Sequence, residues 1–146
     1  GRGQIVIQRA AHPPGAPVTA AGNGGGFYRA VSLTLPWPPS VNGYWRRNGG
    51  RYFISKQGQQ FRKAVLEECQ SMRSAQTLTG RLSVTVGLNP PDKRKRDIDN
   101  VGGKALLDAL GHAGVYADDS QIDRLLIVRG GVRPPGCCTV LVEEIA

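Results

Sequence analysis

The chain has 146 residues, enough for one domain with its own core, and 40% of them are apolar, with no apolar run long enough to span a membrane. Its three cysteines, an odd number with two adjacent, give no disulfide framework and no C-x-x-C pair for zinc. The net charge of +8 is concentrated, with 13 Lys/Arg against five Asp/Glu between Tyr44 and Lys104 and six of each in the flanks.

Residues 1–29 read as a flexible Gly/Ala/Pro-rich tail that buries too little apolar surface to offset its ordering entropy. Only "QIVIQ" at 4–8 has strand character, and it is too short to stand alone. The domain proper spans 30–146. "AVSLTLPW" (30–37) alternates and predicts the first strand. Prolines then forbid a helix interior or central strand. Asn48-Gly49-Gly50 predicts a hairpin turn with arms at 44–46 and 51–54. Ser55 predicts an N-cap and a helix over 56–74, with Phe61, Val65, Leu66, Cys69 and Met72 on its buried stripe. "RLSVTVGL" (81–88) predicts a strand, and "NPPD" breaks it. A second helix is predicted over 101–112, with Leu106, Leu107 and Leu110 inward and Gly111 or Gly114 at its end. Strands are predicted over 121–132 and 137–145. This order predicts an α+β (mixed α/β) domain, a small mixed β-sheet packed with two main helices.

The positive middle is the electrostatic footprint of a polyanion binder. No Lys/Arg-rich amphipathic helix accompanies it, so nucleic acid is favoured over a membrane. Lys93, Arg94, Lys95 and Arg96 stand directly before Asp97 and Asp99. On an extended segment, carboxylates two apart share a face, and two hard oxygen ligands suit Mg²⁺. Asp118 or Asp119 is available as a third if the loop after the second helix returns the chain. In such a site the metal activates water and stabilises the departing oxygen, while cations hold the phosphate backbone. Lys104 is placed to serve at the scissile phosphate. The plainer alternative is that Asp99 or Asn100 caps the second helix and Asp97 pairs with Arg94 or Arg96. Arg46, Arg47 and Arg51 either extend a phosphate surface or solubilise a hairpin. Asn42, Tyr44 and Trp45 either meet DNA or pack beside the turn.

Five segments in order, "LTLPWPPSVNGYWR" (33–46), "GRYFISKQGQQFRKAV" (50–65), "PPDKRKRDIDN" (90–100), "KALLDAL" (104–110) and "GVYADDSQI" (114–122), resemble the RusA family of phage-derived Holliday-junction resolvases. The resemblance implies a homodimeric endodeoxyribonuclease of recombination and repair. Such an enzyme depends on Mg²⁺, with Mn²⁺ as a substitute and no organic cofactor, and cuts four-way DNA junctions by paired symmetric nicks. It implies metal ligation by Asp97, Asp99 and Asp119, catalysis by these and Lys104, and DNA contact by Lys93 to Arg96. Arg46, Arg47 and Arg51 are expected to extend that DNA surface, and Asp118 and Asn100 to support the ligands. The chain departs from the usual Asp-x-Asp-Asn-x-x-Lys pattern, because Val101, Gly102 and Gly103 put one extra residue before Lys104. The two glycines are expected to absorb it as a bulge or a delayed helix start. The alternative is a junction-binding or general nucleic-acid-binding module whose acids are structural. Unpaired cysteines predict a reducing compartment and therefore the cytoplasm.

Overall fold

The computed structural model describes residues 4–9, 29–72 and 76–145. In chain order these form β1 (Gln4–Arg9), β2 (Ala30–Pro36), α1 (Val41–Tyr44), β3 (Trp45–Asn48), β4 (Arg51–Ile54) and α2 (Lys56–Ser71). There follow β5 (Arg81–Asn89), α3 (Ile98–Gly102), α4 (Lys104–His112), a 3-10 turn (Asp119–Gln121), β6 (Ile122–Arg129) and β7 (Cys137–Ile145). The main sheet has the order β1-β6-β5-β7-β2, and β3 and β4 pair separately. β6 lies parallel to β1 and β5, whereas β7 is antiparallel to β5 and β2. The sheet is therefore mixed, as expected for the α+β class.

Alternation places Val31, Leu33 and Leu35 of β2 on the inner face with Leu82, Val84, Val86 and Leu88 of β5. Phe61 and Val65 of α2 and Ala105, Leu106, Ala109 and Leu110 of α4 join them in one core. Ser55 caps α2 as expected, its Oγ accepting from Gly58 N at 2.9 Å. At the hairpin, Gly49 and Gly50 have φ of +58° and +83°. Two positive φ values in succession are what a tight two-residue β-turn requires, and glycine adopts them without steric cost.

The structure departs from the sequence reading in three elements. Gln4–Arg9, inside the expected flexible tail, form an edge strand beside β6; residues 10–28 of that stretch lie outside the described residues. Hydrogen bonding to a neighbouring edge stabilises a segment too short to stand alone. Tyr44 ends α1, capped by Ser40 Oγ, instead of opening a hairpin arm. The expected helix over 101–112 is two helices, α3 and α4, broken at Gly103.

Candidate nucleic-acid interface and carboxylates

The loop after β5 is folded by Asp92. Its carboxylate accepts from Arg94 N at 2.9 Å and pairs with Arg96 at 2.8 Å and, more loosely, with Arg94 at 3.7 Å. These partners, the Arg96 hydrogen bond foremost, hold the Asp92 carboxyl below its usual range. Arg96 is tied further, with its guanidinium over the Trp37 ring at 5.7 Å and its carbonyl accepting from Arg129. Lys93, Arg94 and Lys95 remain exposed. The pairing of Asp97 with Arg94 or Arg96 does not form, because Asp92 takes both arginines.

The proline-rich segment runs beside this loop in a regular way. Trp37 meets Arg96, Val41 N donates to Asn100 Oδ1 at 3.4 Å, and Lys104 Nζ lies over the Trp45 ring at 5.9 Å. Each step of four residues on one segment matches a step of four on the other. Asn100 sits inside α3 and meets the first amide of α1, and it does not cap the second helix. Asp97 is the N-cap residue of α3, without a side-chain capping bond, and Asp99 lies in its first turn. Neither carboxylate makes a side-chain hydrogen bond or ion pair among the described residues.

Gly103 accommodates the extra residue. It has φ −100° and ψ −122°, outside the helical region, so α3 and α4 are separately oriented. A Cβ there would overlap the carbonyl oxygen of Asp99. Lys104 is then the exposed first residue of α4, its register fixed by the four buried residues behind it.

The later acids have a different setting. Asp118 Oδ1 accepts from Ser120 N at 3.0 Å, and Gln121 Oε1 accepts from Asp118 N at 2.9 Å, a capping box. The Ser120 amide, chiefly, lowers the Asp118 pKa. Asp119 is pushed the other way by desolvation first and Asp118 second, and the Lys104 charge partly offsets this. Among the described residues no group of three or more His, Cys, Asp or Glu is gathered to hold a metal ion. Asp97 and Asp99 follow the carboxyl end of β5 and Asp119 precedes the amino end of β6, with α4 between them and Lys104, its first residue, close enough to Asp119 for its charge to act there.

On the hairpin, Arg46, Arg47 and Arg51 are exposed, and the Arg47 guanidinium lies over Tyr52 at 5.7 Å. Sequence reasoning missed a polar triad beneath them. Tyr44 OH donates to Asp108, Arg62 Nε donates to Tyr44 OH at 2.6 Å, and Arg62 pairs with Asp108 at 2.8 Å. The one available signal was an acid on an otherwise apolar helix face, which names no partner 46 or 64 residues away. All three cysteines are free, and no helix among the described residues is long and apolar enough to cross a membrane.

Residues 36–137 match the family described as Endodeoxyribonuclease RusA. The chain is 41% identical over 113 residues to the crossover junction endodeoxyribonuclease rusA of Enterobacteria phage HK97, covering 77% of this chain and 93% of that protein. It is 37% identical over 114 residues to the RusA enzyme of Shigella sonnei (strain Ss046), and 36% identical to that of Escherichia coli (strain K12), covering 78% of this chain and 94% of each relative. The matched span contains the basic loop, both pairs of aspartates and Lys104, and the chain belongs to the RusA family of endodeoxyribonucleases, which hydrolyse DNA phosphodiester bonds.

Proposed function

We propose that this chain resolves four-way DNA junctions by metal-dependent hydrolysis, as a homodimer in the cytoplasm, and that Asp97, Asp99 and Asp119 are its metal ligands. The observation that carries the reading is the state of Asp97 and Asp99. They are exposed carboxylates without partners among the described residues, in the most cationic part of the chain, where Asp92 has already taken the nearest arginines. Unpaired carboxylates in a positive field fit a hard divalent cation such as Mg²⁺, which takes one or two carboxylates plus water and phosphate oxygens. When bound, the ion supplies a nucleophilic water and stabilises charge on the phosphoryl oxygens.

The chain's own residues do the rest. Lys93, Arg94 and Lys95 hold the strand by its phosphates, with Arg46, Arg47 and Arg51 extending that surface. Lys104, fixed at the first turn of α4, meets charge that develops on the phosphate being cut. Arg96 keeps the loop in place from Trp37 and Asp92. Asn100 and Asp118 hold the segments that carry the ligands. A four-way junction is close to two-fold symmetric, so a dimer presents one site to each of two strands.

Two measurements test this. A labelled junction incubated with Mg²⁺ is expected to show symmetric nicks that EDTA abolishes. Tight junction binding without nicks would favour a non-catalytic binder. Equal affinity for junction, duplex and single strand at matched salt would favour a general nucleic-acid module. Asp99→Asn and Asp119→Asn are each expected to abolish cleavage and keep junction binding. Cleavage by either variant at the wild-type rate would remove that carboxylate from the metal site.

A further inference from the structure

The β3–β4 hairpin lies outside the five-stranded sheet and leaves Tyr52 71% exposed. Trp45 pairs with Ile54 and Arg47 with Tyr52 across the hairpin. Alternation therefore puts Trp45, Arg47 and Tyr52 on one face, with the two rings diagonal neighbours. That face opens onto a groove of about 560 Å³ lined by Asn42, Trp45, Arg46, Arg47, Tyr52 and Lys104. The volume falls within the range of small-ligand sites, about 300–1,000 Å³.

The lining selects its occupant. It holds three cations and no carboxylate, so it favours an anion. It also holds two aromatic rings, so it favours a flat π face. An apolar peptide would leave the cations unanswered, and a simple phosphorylated side chain would leave the rings unused. A nucleotide answers both. Arg47 lies over one ring and Lys104 over the other, so phosphate-binding groups and stacking platforms are held together. Such pairing of aromatic rings with a cationic track is how proteins take single-stranded nucleic acid.

We propose that this groove binds an unpaired nucleobase of a DNA strand, stacked on Trp45 and Tyr52, with Arg46, Arg47 and Lys104 on the flanking phosphates. In an intact duplex the base faces are hidden by their neighbours, and opening of a branch point on the protein exposes them. The groove thus supplies a contact that duplex DNA cannot make. This deepens the nuclease reading and rests on it only for the place of Lys104 beside the cut phosphate.

The test compares a short single-stranded oligonucleotide with an abasic strand of the same length, which carries the same phosphates. The wild-type protein is expected to bind the base-bearing strand about tenfold more tightly. Tyr52→Ala is expected to bind the two strands equally while its affinity for the abasic strand is unchanged. Trp45→Phe, which keeps a ring, is expected to retain the preference. Tyr52 is exposed, so its replacement leaves the fold intact, which a thermal melt checks. Equal wild-type affinity for the two strands, or an equal loss on both in Tyr52→Ala, overturns the proposal. Cleavage does not enter this readout, so its failure leaves the nuclease reading standing, and failure of junction cleavage leaves this one standing.

Discussion

Tyr44 shows what a single buried hydroxyl does here. Its ring is fully buried, and it stands edge-on to Trp45 with centroids 4.4 Å apart. Its hydroxyl joins Arg62 of α2 to Asp108 of α4. One residue thus sets the hairpin root against two helices and holds the ring that faces Lys104. Burial first, and the hydrogen bond to Asp108 second, raise its pKa from the ordinary value near 10 to about 12. A raised folded-state pKa means that the stability it contributes is fully present below pH 10 and is lost as pH rises through 12. Tyr44→Phe removes the hydroxyl but leaves the Arg62–Asp108 pair, so the expected cost is about 1–2 kcal/mol. Denaturant unfolding at pH 8 and at pH 11 checks both points. The gap between wild type and variant is expected to shrink at the higher pH, and a gap independent of pH would remove the hydroxyl network from the account. The residue types of this network were readable in the sequence, but their meeting was not. Local pattern placed Tyr44 beside a turn, where aromatic packing is the ordinary outcome, and nothing local encodes a partner on a helix 64 residues away.

At the scale of elements, the sequence was most legible where periodicity is local. The α2 stripe, the alternation of β2 and β5 and the Gly49-Gly50 turn were all recoverable from spacing and turn chemistry. The break between α3 and α4 was half legible. An extra residue before a helix whose register is fixed by its core must be absorbed upstream, and two glycines marked the place. What the sequence could not give was which glycine breaks the helix, because that depends on the approach of the Asp99 carbonyl. The two positions separate experimentally. A methyl at Gly102 would meet Ile127 Cγ2 at 3.0 Å and Leu88 Cδ1 at 3.3 Å, side-chain atoms that can shift. At Gly103 it would meet backbone that cannot. Gly103→Ala is therefore expected to cost about 1–3 kcal/mol, at the upper end of that range and more than Gly102→Ala. It should also lower cleavage, because α3 carries Asp99 and α4 carries Lys104. Thermal melts and junction cleavage of both variants decide the order, and an inverted order would mean that the hinge is Gly102.

For the whole molecule the governing quantity is where charge is free. Composition located the excess of +8 in the middle of the chain, but not which cations are spent inside the fold. Arg96 is spent, on Asp92 and Trp37, and so is Arg62, on Asp108 and Tyr44. Lys93, Lys95, Arg46, Arg47 and Arg51 are exposed. Nor did the order of residues show that Asp119 comes within the field of Lys104, which depends on how α4 packs. Salt dependence tests the charge assignment directly. Each phosphate neutralised on duplex DNA contributes about 0.9 to the slope of log affinity against log salt. Lys95→Ala is expected to flatten that slope by roughly this amount while leaving the melting temperature unchanged. Arg96→Ala is expected to do the reverse, lowering the melting temperature through loss of the Trp37 and Asp92 contacts and changing the slope less. If both variants flatten the slope alike without loss of stability, Arg96 faces the DNA, and the loop changes conformation when the strand arrives.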